Sequence, residues 1–170
     1  MCKRQSGFTL IEIAVVLTIV GLLVFSVLKG AAMVHQSKLR KTAQMVEDIR
    51  TASNLFTRER GRLAGDSLTG IAANGLIDTS TEKKAFKEEL ILNGYLKGEK
   101  DGTNWIWRHA LGGVMEVEVT GSKNYIVLTN FTANDLITAD DRKFFDKQFD
   151  GDGSDSTGPV LFSGNLKISL

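Results

Sequence analysis

The chain has 170 residues, enough for one domain with a core, and a hydrophobic content of 42% that excludes a disordered or fibrous protein. Its 21 Lys and Arg residues nearly balance 20 Asp and Glu residues, so no basic footprint indicates nucleic-acid binding. The single cysteine, Cys2, precedes the cleavage point predicted below, and we therefore expect no disulfide and no thiol chemistry in the processed chain.

An apolar segment occupies residues 8–28 and contains a single ionisable residue, Glu12. At about 1.5 Å of helical rise per residue it spans roughly 30 Å, the thickness of a bilayer's hydrocarbon core. Lys3 and Arg4 precede it, and basic residues on that flank hold the N-terminus in the cytoplasm. The sequence therefore predicts a single membrane pass, with the rest of the chain translocated.

The position of the cleavage signal distinguishes two kinds of leader. A secretory signal peptide has a shorter apolar stretch, followed by small residues and a polar mature start. Here the apolar run leads into Lys29 and Gly30 and then into helix-like sequence. Signal-peptidase cleavage after Ala31 or Ala32 stays open, but the stronger signal is the Ser-Gly-Phe string at residues 6–8, before the run.

The string KRQSGFTLIE at residues 3–12, followed by an unbroken apolar stretch, resembles the N-terminal signature of type IV prepilins and type II secretion pseudopilins. The resemblance implies that a prepilin peptidase cleaves between Gly7 and Phe8 and that the new amine of Phe8 is N-methylated. It also implies an inner-membrane protein with its C-terminal head in the periplasm, which later joins a filament of pilin-like subunits.

Glu12 is the one carboxylate in the apolar segment, where an unpaired charge costs several kcal/mol. The resemblance implies that it pairs with the N-terminal amine of a neighbouring subunit, or of Phe8 itself, and so fixes the axial register during assembly. The alternative is that Glu12 only reaches back to the headgroup zone from the end of an anchor helix.

Residues 29–60 continue the helix in amphipathic form, with apolar residues at spacings of three and four. The residues expected to face the core are Leu39, Ala43, Val46, Ile49, Ala52 and Phe56. No proline interrupts the helix, although many pilins carry one, and Gly21 and Gly30 are the positions where it could stretch or bend. We predict an α+β, pilin-like fold in which this long helix packs on a small antiparallel sheet.

The head is expected to occupy residues 61–170, after a leader at residues 1–7 and the two helix halves. The string GRLAGD at residues 61–66 marks the end of the helix. Thr79 and Glu82 have the spacing of a capping box for a second helix, and Asn93-Gly94 supplies its end. The residues of this helix expected to face inward are Phe86, Leu90 and Ile91.

Two antiparallel hairpins are predicted in the second half of the chain. Met115, Val117 and Val119 alternate with glutamates, and residues 121–124 turn the chain into a strand at residues 125–129. A second hairpin is centred on Gly164-Asn165. The rings of Trp105 and Trp107 fall on one side of an extended segment, where they form either an exposed binding surface or, as we expect, part of the core.

An acidic loop between these hairpins is a candidate calcium site. Its candidate ligands are Asp150, Asp152, Ser154 and Asp155. They alternate as the first ligands of a calcium loop do, but Leu161 stands where an EF-hand requires a bidentate glutamate, so an EF-hand is excluded. A plain Asp/Gly/Ser turn between a helix ending near Phe149 and the strand after Pro159 is the equal alternative.

Catalysis has no candidate residues, because His35 and His109 are isolated and no nucleophile, metalloprotease or phosphate-loop motif is present. We expect a non-enzymatic filament subunit of a type IV pilus or a type II secretion pseudopilus, with no certain cofactor and calcium as the one candidate. The alternatives are a single-pass inner-membrane protein with a periplasmic binding module and a secreted enzyme behind an uncleaved anchor.

Overall fold

The computed structural model describes residues 9–66, 73–129, 137–149, 151, 160–163 and 165–170. Three helices and six strands lie within them: α1 Leu10–Arg60, α2 Ser80–Leu92, β1 Glu99–Asp101, β2 Asn104–Arg108, β3 Val114–Thr120, β4 Lys123–Thr129, α3 Ala139–Phe149, β5 Val160–Ser163 and β6 Asn165–Ser169. The chain forms two compact units, residues 1–37 and residues 38–170. The predicted α+β class is confirmed.

The long helix α1 is continuous over 51 residues and passes through Gly21 and Gly30 without interruption. A side chain added at either glycine would meet nothing within 4 Å, so neither is required by a close contact. The Thr18 hydroxyl donates a hydrogen bond to the Ala14 carbonyl, and the Ser26 hydroxyl donates one to the Leu22 carbonyl. Both side chains are therefore hydrogen-bonded within the helix.

The amphipathic half of α1 supplies one side of the hydrophobic core, as its periodicity predicts. All six predicted core residues are buried, from Leu39 through Phe56. They share one cluster with residues of α2, α3 and the sheet, including Phe86, Met115 and Phe145. The second half of α1 therefore packs on the sheet as expected, since burial of its apolar stripe stabilises the fold by about 25 cal/mol per Å² removed from water.

The sheet is antiparallel throughout, with the strand order β1-β2-β3-β4-β6-β5. Met115 and Val117 of β3 are buried, while Glu116 and Glu118 lie on the wetter face, as the alternation predicts. Both predicted hairpins are confirmed, as β3 with β4 and β5 with β6. β4 begins at Lys123, two residues earlier than predicted, because the hairpin turn needs only Gly121 and Ser122.

Helix α2 begins and ends where its capping residues predict. The Thr79 hydroxyl accepts a hydrogen bond from the Glu82 amide at 3.1 Å, and the Glu82 carboxylate accepts one from the Thr79 amide at 2.9 Å. Gly94 follows the C-cap residue Asn93 with a φ of 80°. Phe86 and Leu90 are buried and Ile91 packs against the core, so the predicted inner face is correct.

The two tryptophans of β2 differ in their surroundings. Trp107 is buried and meets the Phe86 ring edge-on, with ring centroids 5.9 Å apart. Trp105 is half-buried beneath the Lys100 ammonium group, which lies 4.9 Å from its ring centroid. The expectation of burial is therefore confirmed fully for Trp107 and partly for Trp105.

Candidate functional site

The N-terminus of α1 is closed by a capping box that the sequence analysis did not identify. The Glu12 carboxylate accepts hydrogen bonds from the Thr9 amide at 2.8 Å and from the Thr9 hydroxyl at 2.7 Å. The Thr9 hydroxyl in turn accepts from the Glu12 amide at 3.3 Å. The Thr-x-x-Glu spacing of residues 9–12 is the same signal that identified the start of α2.

An exposed apolar surface on α1 begins immediately after this capping box. Leu10, at 92% exposure, and Val27, at 71%, lie near the limits of this surface. Among the residues that the structure describes, α1 is the one helix long and apolar enough to cross a membrane, and its most apolar window has a mean hydropathy of 2.7. Glu12 therefore presents a carboxylate at the edge of a surface that favours lipid or protein over water.

Of the predicted processing and assembly residues, the structure describes only Glu12. Gly7 and Phe8 lie outside the described residues, so the structure does not place the scissile bond. Within the described part of the chain, the hydrogen-bond partner of the Glu12 carboxylate is Thr9. Thr9 holds the carboxylate at the helix N-terminus, where the helix dipole also stabilises negative charge.

The α+β fold with its long N-terminal helix is pilin-like, and the apolar first half of that helix has the length and composition of a membrane anchor. Residues 2–28 match the family described as the prokaryotic N-terminal methylation motif. The match contains Gly7, Phe8 and Glu12, and it shows that the chain carries a type IV prepilin/pseudopilin-like signature. No curated protein and no solved structure matches the chain.

The GRLAGD segment after α1 is held against α2 by charge-assisted hydrogen bonds. The Arg62 guanidinium donates two hydrogen bonds to the Glu89 carboxylate, at 2.5 and 3.0 Å. The Gly65 amide donates a third to the same carboxylate, at 2.7 Å. This contact raises the pKa of Arg62 through its hydrogen bond with Glu89. Burial raises the pKa of Glu89, but the hydrogen bonds from Arg62 and Gly65 outweigh burial and the net pKa is lowered.

A second set of hydrogen bonds joins the chain on both sides of residues 67–72. The buried Asp66 carboxylate accepts from the amides of Asn74 and Gly75, at 3.3 and 2.8 Å. The Asn124 side chain accepts from the Ile77 amide at 2.9 Å and donates to the Gly75 carbonyl at 2.8 Å. These contacts attach the segment after α1 to the beginning of β4.

The candidate calcium ligands Asp150, Asp152, Ser154 and Asp155 lie outside the described residues. Beside them, α3 ends at Phe149 as expected, and the Gly151 amide donates to the Asp146 carbonyl at 2.7 Å. In the part of the chain that the structure describes, no group of three or more His, Cys, Asp or Glu residues could hold a metal ion. Calcium binding by the loop stays a prediction.

The two histidines belong to different units of the chain. His35 lies in the unit of residues 1–37, whereas His109 is buried in the other unit, with its Nε2 atom 3.3 Å from the Thr129 carbonyl oxygen. The methylation motif at residues 2–28 is typical of structural subunits, and action without catalysis stays a prediction for this chain.

Proposed function

We propose that the chain is a filament subunit that a prepilin peptidase cleaves between Gly7 and Phe8 and N-methylates at Phe8. The processed subunit then assembles with other pilin-like subunits into a type IV pilus or a type II secretion pseudopilus. The observation that carries the proposal is the methylation motif over residues 2–28 together with the exposed apolar half of α1. Before assembly this half anchors the protein in the inner membrane, with the head in the periplasm, and the subunit acts by assembly.

Glu12 has the central role in this proposal. Cleavage before Phe8 creates a cationic amine four residues from Glu12, and N-methylation leaves that amine charged. In a water-excluding lipid or filament environment a lone carboxylate is costly, whereas a carboxylate paired with an amine is stabilised. We infer that Glu12 pairs with the amine of Phe8, its own or a neighbouring subunit's, and that Thr9 holds the carboxylate toward the helix N-terminus.

The Glu12→Ala variant tests the assembly role. Breaking a buried charge pair costs about 2–5 kcal/mol, so we expect the yield of sheared filaments to fall by more than about tenfold. Membrane insertion and head folding should stay unchanged, because Glu12 makes its described hydrogen bonds only within the first turn of α1. Thr18→Ala is the matched control, since Thr18 is a polar residue of the same segment that bonds to its own helix.

The alternative function is a single-pass inner-membrane protein whose periplasmic head is a binding module. The observation that favours it is a cleft of about 420 Å³ beside α1, lined in part by Met45, Leu55, Tyr95 and Trp107. A binding module needs neither leader cleavage nor Glu12 for its activity. Retention of the leader and absence of the wild-type chain from sheared filaments, with the chain correctly inserted, would therefore support the alternative and contradict the filament subunit. Wild-type filament yield from Glu12→Ala would contradict only the assembly role of Glu12.

We also propose that the acidic loop holds calcium through Asp150, Asp152, Ser154 and Asp155. Support comes from the alternating oxygen-bearing residues in the sequence and from the turn that Gly151 makes at the end of α3. Calcium at 100 times its dissociation constant should stabilise a fragment of residues 29–170 by about 2.7 kcal/mol and raise its melting temperature. Asp152→Asn should abolish the shift. An unchanged melting temperature after chelation would favour the plain turn.

A further inference from the structure

The sequence contains the string Asn-Gly twice, at residues 74–75 and 93–94. Such a string is chemically labile, because glycine has no side chain to hinder attack by its amide nitrogen on the side-chain carbonyl carbon of the asparagine. The attack forms a cyclic imide and releases the side-chain amide as ammonia. Since the two strings have the same reacting residues, the fold determines which of them reacts faster.

The attacking nitrogen of the first string is hydrogen-bonded to a carboxylate. The Gly75 amide donates to the Oδ2 atom of Asp66 at 2.8 Å, and the Asn74 amide donates to the Oδ1 atom of the same carboxylate at 3.3 Å. Asp66 is only 2% exposed, so its carboxylate is held in a buried position beside the exposed string. A carboxylate at this distance from a nucleophile can take up its proton during attack and so act as a general base.

The carbonyl group that is attacked has a hydrogen-bond donor of its own. The Oδ1 atom of Asn74 accepts from the Leu76 amide at 2.7 Å. This donor stabilises the negative charge that develops on Oδ1 as the attacking nitrogen approaches the carbonyl carbon. Within the described part of the chain, the Nδ2 atom of Asn74 makes no hydrogen bond, and the residue is exposed, so ammonia can leave directly into water.

The second string has a different set of partners. The Gly94 amide donates to the Ile91 carbonyl at 3.0 Å, and a carbonyl oxygen does not take up the amide proton. The Asn93 side chain donates from Nδ2 to the Glu89 carbonyl at 2.7 Å and accepts at Oδ1 from the Arg60 guanidinium at 3.0 Å. These bonds hold the leaving amide at the C-cap of α2. The fold therefore protects the second string and activates the first.

We propose that Asn74-Gly75 is a site of fold-assisted deamidation, at which Asp66 is the general base. As the bond between the Gly75 nitrogen and the Cγ atom of Asn74 forms, the amide proton passes to Asp66. The carboxyl group then gives this proton to the Nδ2 atom, the bond between Cγ and Nδ2 breaks, and ammonia leaves. One water molecule opens the cyclic imide at either of its carbonyl carbons, which yields aspartate or isoaspartate at position 74.

Both products alter the attachment of the segment after α1. Aspartate at position 74 places a second negative charge beside Asp66, and isoaspartate lengthens the backbone by one atom before Gly75. We expect either change to weaken the hydrogen bonds to Asp66 and the bond of 2.8 Å that the Asn124 side chain donates to the Gly75 carbonyl. The reaction requires neither leader cleavage nor a filament, so it is independent of the proposed function.

The test incubates the full-length protein in detergent micelles at neutral pH, with the chain unfolded in urea as the reference. Peptide mass spectrometry measures the loss of the side-chain amide at Asn74 and at Asn93 separately. We expect Asn74 to react at least about tenfold faster in the folded chain than in the unfolded chain. Asn93 should react more slowly when folded, because its bonds at the end of α2 must open first. An equal or slower reaction of Asn74 in the folded chain, or chain cleavage in place of amide loss, would overturn the inference.

The variant Asp66→Asn identifies the base, because an amide accepts the same hydrogen bonds but does not take up the proton. We expect the rate at Asn74 to fall at least about tenfold while the rate at Asn93 stays the same. The control Asp48→Asn, at an exposed carboxylate of α1, should change neither rate. An unchanged rate at Asn74 in Asp66→Asn would overturn the role of the base. If Asp66→Asn brings Asn93 to its unfolded rate, the variant has lost its fold, and the wild-type comparison decides the inference by itself.

Discussion

The Glu89 carboxylate accepts three hydrogen bonds that no sequence motif predicts. Two come from Arg62 and one from the Gly65 amide, and together they lower the pKa of the Glu89 carboxyl despite its partial burial. The Glu82 carboxylate of the capping box is shifted in the same direction, chiefly by the Thr79 amide. Both groups bind protons less readily in the folded chain than in the unfolded chain, so folding favours their ionised forms.

The Glu89→Gln variant tests the energetic role of this carboxylate. We expect a loss of about 1–2 kcal/mol of unfolding free energy at pH 7, because one charge-assisted acceptor is replaced by a neutral one. The contribution of Glu89 is present above the unfolded carboxyl pKa of about 4.3 and is lost as the pH falls through the lowered folded value. The difference between the variant and the wild type should therefore shrink below about pH 4.3.

Urea unfolding of a fragment of residues 29–170 at several pH values measures this difference. Glu88→Gln is the matched control, because Glu88 is an exposed neighbour on α2 and should change stability by less than about 0.5 kcal/mol. A constant difference between Glu89→Gln and wild type from pH 7 to pH 3 would contradict the assigned role of the charge.

At the scale of elements, the approach of the GRLAGD segment to α2 requires a glycine at position 65. Gly65 has a φ of 76°, and a Cβ atom there would lie 2.5 Å from the Glu82 carbonyl oxygen and 2.7 Å from the Phe86 amide nitrogen. Gly61, in the same segment, has a similar φ of 72° but nothing within 4 Å of its Cβ position. An alanine at position 61 would therefore suffer backbone strain alone, whereas an alanine at position 65 would suffer the same strain and a steric clash with α2.

The unfolding free energies of the variants Gly65→Ala and Gly61→Ala measure this difference. Gly61→Ala should cost about 1–2 kcal/mol, the price of a left-handed conformation for an L-residue. Gly65→Ala carries the same strain and also pushes the segment away from α2, so we expect it to cost at least about 2 kcal/mol more. Equal losses in thermal or urea unfolding of the two variants would show that the close approach to α2 contributes nothing to stability.

Elements with a local signal could be predicted from the sequence, and elements fixed by distant partners could not. The periodicity from Leu39 to Phe56 and the capping box at Thr79 depend on residues close together in the chain, and both predictions are confirmed. The pairing of Arg62 with Glu89 joins residues 27 positions apart, and the sequence offers no rule for choosing that partner.

Two further features of the fold also have local signals in the sequence. The hairpin of β1 and β2 has Asp101-Gly102 at its turn, a dipeptide typical of tight hairpins. The capping box of Thr9 and Glu12 has the same spacing as the one that predicted α2. At the candidate site the sequence prediction contained Glu12 but not its partner Thr9, although the Thr-x-x-Glu spacing that joins them is present at residues 9–12.

At the scale of the whole molecule, one helix serves two environments. From Leu10 to Val27 its large apolar residues are exposed, whereas from Leu39 to Phe56 its apolar stripe is buried against α2, α3 and the sheet. The first half has the length and composition to cross a membrane, and the second half gives the head its core. Such a division suits a subunit that is held in a membrane before its apolar segment is covered by other subunits.

The most direct test of this account is the intact mass of the protein recovered from the membranes of cells that contain a prepilin peptidase. We predict the loss of residues 1–7 and the addition of one methyl group, with N-terminal sequencing or fragmentation placing the methyl on the amine of Phe8. A variant at Gly7, Gly7→Val, should keep the leader. Recovery of the wild-type chain with residues 1–7 intact would contradict the account.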